Sequence, residues 1–205
     1  MGNGTQAHWE RVYVEKNDTE VSWHQEKPVP SLDLAKLAGI NASSEVIDVG
    51  GGTSRFVDGL LAQGVENLTV LDISEHALAA ARARLGPHSN NVSWIAADVT
   101  TWSPDRQYDL WHDRAVFHFL TGAADRAAYV DRLYAALRPN GHAIIATFAL
   151  DGPERCSGLP VVRYSPETLA GTLGNRFQLV AESSHLHVTP WNSQQSFQFS
   201  LFRKI

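Results

Sequence analysis

Three short apolar runs in the first half of the chain each carry an acid at or beside their end: EVIDV (45–49) with Asp48, LTVLDI (68–73) with Asp72, and SWIAAD (93–98) with Asp98. Between them lie stretches of helical period, TSRFVDGLLAQG closing on Gly64 and SEHALAAARARLG with a Ser cap and a terminal Gly86. The alternation continues with YDLWHDR (108–114), the helical RAAYVDRLYAALRPNG (126–141) stopped by Pro139 and Gly141, and HAIIATFA (142–149). Strands and helices joined by short turns make βαβ units, and therefore a parallel sheet with helices on both faces. After a helical pattern at SPETLAGTLG, the tail has two alternating runs, FQLVAESSHLHV (177–188) and QSFQFSLFRK (195–204), around Pro-Trp-Asn. That is an antiparallel hairpin. The expected fold class is α/β: a doubly wound, mostly parallel seven-stranded sheet with an antiparallel C-terminal hairpin and helices on both faces.

Residues 1–30 alternate polar and aromatic and form a lead-in segment, with Trp9, Tyr13, Trp23 and His24 ahead of Lys-Pro-Val-Pro. SLDLAKLAGI then spaces Leu32, Ala35 and Leu37 as a short amphipathic helix behind a Ser31 cap. At 205 residues one core suffices. Seventeen Lys and Arg against 22 Asp and Glu disfavour an electrostatic nucleic-acid or anionic-membrane binder. A single cysteine, Cys156, makes no internal disulfide and fits a reducing compartment. The opening residues show no apolar signal core, and no run approaches the roughly 20 residues that span a bilayer. The expected location is cytoplasmic.

In a doubly wound sheet, ligands bind beyond the carboxyl ends of the strands, where strand order reverses. The turn after the first strand is DVGGGTSR, in which Gly50 and Gly52 permit a tight turn and close backbone approach. Asp72, about twenty residues on, stands where an acid accepts from a ribose hydroxyl. A bare strand-to-helix turn explains the glycines alone, but carboxylates at strand tips contribute little to packing. A dinucleotide fingerprint wants a small residue where Arg55 stands, and a diphosphate wants no carboxylate beside it, whereas Asp48 immediately precedes the loop. A cationic, phosphate-free nucleoside fits better.

The run VIDVGGGTSRFV, followed by LDIS, AADV and YDLWHDRAVFHFL, resembles the class I S-adenosylmethionine-dependent methyltransferases, a seven-stranded Rossmann-like family, from about residue 45 to the C-terminus. The resemblance implies one methyltransferase domain over 1–205, with 1–44 an arm and helix covering the active site and 45–205 the core. It implies S-adenosylmethionine as cofactor, leaving as S-adenosylhomocysteine. Asp48 and Gly50 would lie near the methionine moiety and Gly52 near the nucleoside. Asp72 would hold the ribose hydroxyls, and Asp98 with Val99 would contact the adenine. Gly51, Ile73, Asp113 and Trp23 complete the implied cofactor set. The family often has a further glycine where this chain has Ser54, which puts only local backbone geometry in question.

Methyl transfer from a sulfonium is an in-line displacement, so the protein aligns a nucleophile and, where needed, removes its proton. The loop after the fourth strand supplies His112, Asp113, Arg114 and His118. His118 is the first choice for a general base, with a backbone hydrogen bond beside the cofactor as its alternative. Arg114 either pairs with Asp113 or clamps an acceptor carboxylate. The long segment FALDGPERCSGLPVVRYS reads as a lid or acceptor loop, with Cys156 as packing or pocket wall and Arg155 and Arg163 as anion readers or solvated arginines. His185 and His187 alternate on one strand near Pro190 and Trp191, a possible acceptor wall but no metal site without a third ligand. Trp9, Tyr13, Trp23 and His24 resemble aromatic arms that fold over cofactor and acceptor, or else pack on the sheet edge.

The fourth-strand loop reads HDRA, not the Asn/Asp-Pro-Pro-Tyr/Phe signature of base methylation, so no nucleic-acid partner is expected. The expected acceptor is a small molecule methylated on S, O or N by a monomer or homodimer, with no membrane partner. DRAVFHFL partly echoes a lysine-methyltransferase motif, which keeps a protein-lysine acceptor open. A non-catalytic cofactor-binding module and a dehydrogenase are the remaining alternatives.

Overall fold

The computed structural model describes residues 3–205. Its main sheet contains β1 (Glu45–Val49), β2 (Asn67–Asp72), β3 (Val92–Ala96), β4 (Tyr108–Arg114), β5 (Leu137–Phe148), β6 (Phe177–Val188) and β7 (Gln194–Lys204). The spatial order is β3-β2-β1-β4-β5-β7-β6, parallel through β5 and antiparallel at β7 and β6. The chain runs outward from β1 to β3, then returns to lay β4 and β5 on the other side. Strand order therefore reverses between β1 and β4, which opens a crevice at their carboxyl ends.

Among the described residues six α-helices accompany the sheet: α1 (Asn3–Glu15), α2 (Val29–Leu37), α3 (Phe56–Ala62), α4 (Glu75–Leu85), α5 (Ala123–Ala136) and α6 (Pro166–Leu173). Alternate residues of a strand face opposite sides, so each strand feeds two cores. Val46, Val70, Leu110 and Ile144 pack with Leu34, Phe56, Leu60 and Leu78 of α2, α3 and α4. Ile47, Val49, Trp111 and Ile145 pack with Tyr129, Leu133, Leu169 and Leu173 of α5 and α6.

Among the boundaries that differ from the sequence expectation, three concern helices. The helix after the glycine turn begins at Phe56 rather than Thr53, because the Thr53 and Ser54 carbonyls accept from the Arg84 guanidinium instead of starting the helical ladder. Helix α2 begins at Val29 with Pro28 as its N-cap, so Ser31 lies inside the helix, fully buried, and caps nothing. Helix α5 stops at Ala136; the Pro139–Gly141 turn signal falls within β5, at an irregular register where Asn140 takes φ +63°. The lead-in segment also contains a helix, α1, whose weak apolar periodicity left it unread. Of that segment, Met1 and Gly2 lie outside the described residues.

Candidate functional site

At the carboxyl ends of β1, β2, β3 and β4 the chain encloses about 780 Å³ of empty space, its open mouth included. The walls differ in chemistry. One half is built by Val49, Gly50, Leu71, Asp72, Ile73, Ala97, Asp98 and Val99 at the strand tips. The other is aromatic, formed by Trp9, Trp23, Phe119, Phe148 and Phe197 with Val116, Cys156, Gln195 and Arg114. Tyr13 also faces the cavity, from α1.

The glycine turn is shaped by close contacts. Gly50 and Gly52 have φ +64° and +42°, conformations that disfavour a side chain. A Cβ on Gly50 would stand 1.9 Å from the Val116 Cγ2, and one on Gly52 would stand 2.7 Å from the Tyr13 hydroxyl and 3.0 Å from Asp72 Oδ2. A Cβ on Gly51 would meet Asp48 Oδ2 and Val70 at 2.8 Å. Arg84 of α4 fixes the turn from outside, donating to the Thr53 and Ser54 carbonyls at 2.9 and 2.8 Å while pairing with both oxygens of Asp58. Nothing in the sequence marked Arg84; a helix arginine reaching back across the sheet edge has no local signature.

The three strand-tip acids have different surroundings. Asp72 is buried and accepts from the Ser74 backbone N–H at 2.8 Å and from Gly52. Burial, with the Asp48 charge adding, pushes its pKa up to about 7. Asp98 is half-buried and accepts from the backbone N–H and hydroxyl of Thr100. Asp48 faces away from the cavity: His112 Nδ1 lies 2.6 Å from its Oδ1, His112 Nε2 lies 2.8 Å from the Ser31 hydroxyl, and the Phe56 ring stacks on the imidazole at 3.9 Å. Its Oδ2 is buried without a hydrogen-bond partner.

The β4 loop separates the candidates that the sequence grouped. Asp113 pairs in register with Val49, one residue beyond His112, and so points to the opposite face of the sheet. There it accepts from the backbone N–H groups of Val116 and Phe117 and from the Tyr129 hydroxyl at 2.6 Å, and burial raises its pKa to about 6. Those contacts hold the loop and leave Asp113 outside the cavity wall, which corrects its expected catalytic and cofactor roles. His118 is also fully buried behind the wall, against Phe119 and Phe148, with both ring nitrogens unpartnered. Burial, reinforced by the Arg114 charge, lowers its pKa to about 3, so it is a neutral imidazole without access to an acceptor. Neither the general-base expectation nor the backbone hydrogen bond offered as its alternative fits this placement.

Arg114 alone of that group faces the cavity. Its Nη1 donates to the Trp23 carbonyl at 2.7 Å, and its guanidinium lies 5.0 Å from the centre of the Phe197 ring. Nε and Nη2 are buried without a partner. The expected ion pair with Asp113 does not form, because the two side chains leave opposite faces of β4.

The N-terminal arm lines part of the cavity. Trp9 packs against Trp23 and Phe119 at 5.7 and 5.1 Å between ring centres, and Tyr13 against Trp23 at 6.0 Å. Glu10 anchors α1 by accepting from the Glu75 backbone N–H at 2.7 Å and the Ser74 hydroxyl at 3.0 Å, with His76 Nδ1 2.6 Å away. His187 Nε2 lies 2.7 Å from the Ser22 carbonyl and His185 Nε2 lies 3.4 Å from Gln25 Nε2, so these histidines pin the arm to β6 instead of forming an acceptor wall. His24 borders an open groove outside, beside Pro190. Cys156 does form cavity wall, in a short ribbon where Arg155–Cys156 pairs with Leu159–Pro160, and burial raises its thiol pKa to about 11. Arg155 donates to the Gly158 carbonyl, and Arg163 to the Gly152 carbonyl and Glu154, so both are spent within the loop. Among the described residues no cluster of His, Cys, Asp and Glu could hold a metal ion, and no helix is long and apolar enough to cross a membrane.

Residues 46–141 match the family model described as a methyltransferase domain. That stretch, a little under half of the chain, is similar to methyltransferase domains. The chain is 30% identical over 126 residues to nodulation protein S of Sinorhizobium fredii, covering 62% of this chain and 56% of that protein. It is likewise 30% identical over 122 residues to a trans-aconitate 2-methyltransferase of Rhizobium rhizogenes, covering 59% and 45%. The chain thus spans about half the length of these curated relatives. Among solved structures, the methyltransferase fold is shared with the N-methyltransferase NodS of Bradyrhizobium japonicum in complex with S-adenosylhomocysteine, at 19% identity and TM-score 0.71 over 95% of this chain and 97% of that one. It is also shared with a 1,6-didemethyltoxoflavin-N1-methyltransferase of Burkholderia thailandensis, at 23% identity and TM-score 0.76 over 100% and 90%.

Proposed function

We propose that the whole chain works as one S-adenosylmethionine-dependent methyltransferase acting on a small molecule, with residues 1–44 as the cover of its site. The observation that carries this reading is the two-sided cavity: strand-tip carboxylates and bare backbone on one half, an aromatic wall with a single guanidinium on the other. The residues present fit the cofactor. A Cβ on Gly51 would collide with Asp48 and Val70 and one on Gly52 with Tyr13, so the turn stays bare backbone, and Asp72 is a buried carboxyl, raised to about 7 by burial and the Asp48 charge, to which ribose hydroxyls would donate. In this reading Gly50, Gly51 and Gly52 give close backbone approach, Asp72 accepts from the ribose, and Ile73, Asp98 and Val99 surround the adenine. Asp48 acts from beneath the turn, and Trp23 closes the methionine end. S-adenosylmethionine supplies an electrophilic methyl group, and what the chain adds is alignment and exclusion of water.

Calorimetry with S-adenosylhomocysteine and with NADH tests the cofactor. Micromolar binding of the first and none of the second is expected; the reverse would support a dehydrogenase. Transfer of labelled methyl to a panel of thiols, phenols, amines and carboxylates then separates an enzyme from a binding module. Labelling of added protein in preference to the panel would overturn the small-molecule assignment.

A further inference from the structure

Among the described residues Arg114 is a half-buried cation without a counterion. Its Nη1 is occupied by the Trp23 carbonyl, Nε and Nη2 have no hydrogen-bond partner, and the guanidinium forms no ion pair among the described residues. The acid beside it in sequence, Asp113, is committed on the other face of the sheet to Val116, Phe117 and Tyr129. Asp48 is held by His112. Burial lowers the pKa of Arg114 to about 10, with Cys156 and Asp48 acting in the opposite direction, so the side chain stays charged at neutral pH. A charge with buried, unmet donors is costly unless a ligand completes it, and a planar guanidinium fork matches a carboxylate in shape and charge.

The surroundings say which kind of carboxylate. Arg114 lies against the Phe197 ring and shares its half of the cavity with Trp9, Trp23, Phe119 and Phe148. Besides Arg114, the titratable groups there are the Cys156 thiol, whose pKa is raised to about 11, and the Tyr13 hydroxyl, which burial and the Asp72 charge raise well above its ordinary value, so neither serves as a base near neutrality. An acceptor that arrives already ionised needs none. We propose that the methyl acceptor is a small, flat, largely apolar carboxylic acid, held as its carboxylate by the Arg114 guanidinium. This rests on the methyltransferase reading for the word acceptor; the carboxylate site itself does not.

The test is calorimetric binding of benzoate and benzamide to the native chain, with and without saturating S-adenosylhomocysteine. Saturable benzoate binding at least tenfold tighter than benzamide is expected in at least one of the two states. Equal affinities, or no benzoate binding in either state, overturn the proposal. Arg114→Gln should lose at least tenfold in benzoate affinity while changing S-adenosylhomocysteine affinity less than threefold. If cofactor affinity falls as far as benzoate affinity, the guanidinium reads the methionine carboxylate and the acceptor assignment fails. Should Arg114→Gln not fold, the benzoate-to-benzamide ratio on the native chain decides. If S-adenosylhomocysteine does not bind at all, the methyltransferase reading fails, and selective benzoate binding to the ligand-free chain still marks the anion site.

Discussion

Asp48 and His112 sit side by side on adjacent parallel strands, in register, with Oδ1 and Nδ1 2.6 Å apart and both side chains buried. The far ring nitrogen of His112 meets the Ser31 hydroxyl at 2.8 Å, so one hydrogen-bonded chain joins the strand ahead of the glycine turn to helix α2. The imidazole is clamped at both nitrogens and stacked on Phe56, which makes it a positioning residue for Asp48.

Removing that clamp leaves a buried carboxylate alone. His112→Ala should destabilise the fold by about 3 kcal/mol, the usual scale for stripping a buried carboxyl of its hydrogen-bonded partner, whereas Ser31→Ala should cost about 1 kcal/mol. Urea unfolding curves check both. A His112→Ala loss below 1 kcal/mol would mean that Asp48 finds another partner.

The raised pKa of Asp72 sets a pH dependence. Its folded value of about 7 lies above the ordinary carboxyl range, so the folded state holds its proton more tightly than the unfolded chain does. The resulting stability is complete below about pH 4 and is lost as pH rises through about 7. Asp72→Asn should therefore be more stable than wild type at pH 8, while binding S-adenosylhomocysteine at least tenfold more weakly. Cofactor affinity of the wild type should increase from pH 6 to 8, as the carboxylate forms, and Asp72→Asn should flatten that rise. A parallel rise in the variant would assign the titration elsewhere.

Gly50 faces two separate obstacles to a side chain: φ of +64° and the Val116 methyl, 1.9 Å from where a Cβ would sit. Gly50→Ala should cost at least 3 kcal/mol, combining strain with overpacking. In Gly50→Ala/Val116→Ala the clash is gone and the backbone penalty of about 1–2 kcal/mol remains, so part of the lost stability should return. Full recovery would show that the turn relaxes away from its left-handed geometry.

Glu10 ties the arm to the N-terminus of α4. Burial opposes its ionisation, but hydrogen bonds from the Glu75 backbone, His76 and Ser74 outweigh it and leave the pKa below the ordinary glutamate value. Its contribution is therefore present above the unfolded pKa and is lost as pH falls through the folded one. Glu10→Ala should open α1 to protease and speed S-adenosylhomocysteine release several-fold, with a global stability loss of about 1 kcal/mol. Unchanged hydrogen exchange across residues 3–15 would show that the aromatic contacts suffice to hold the arm.

His118 supplies a contrasting expectation. As a neutral ring enclosed by Phe119 and Phe148, it should tolerate Leu with the shape of the pH profile of turnover unchanged. Loss of a titration between pH 5 and 8 in His118→Leu would restore it as a base.

Much of the architecture was legible in the chain because it follows from local periodicity. The limits of β1, β4 and β6 match their apolar runs residue for residue, and Ser74 caps α4 as its position suggested, its hydroxyl accepting from the Ala77 N–H. The places of Gly50, Asp72 and Asp98 at the cavity could be read because each follows directly on a strand whose apolar run is local. The roles within HDRAVFHF could not. Asp113 and Arg114 are neighbours in sequence but leave opposite faces of β4, and His118 turns behind the wall that Arg114 faces. Likewise Glu10, Arg84 and Ser31 act on residues 65, 31 and 81 positions away or nearly so, through contacts that no short-range pattern records. What a residue does locally is set by its own backbone period; which face it occupies, what buries it and which partner it meets are decided only when distant segments pack.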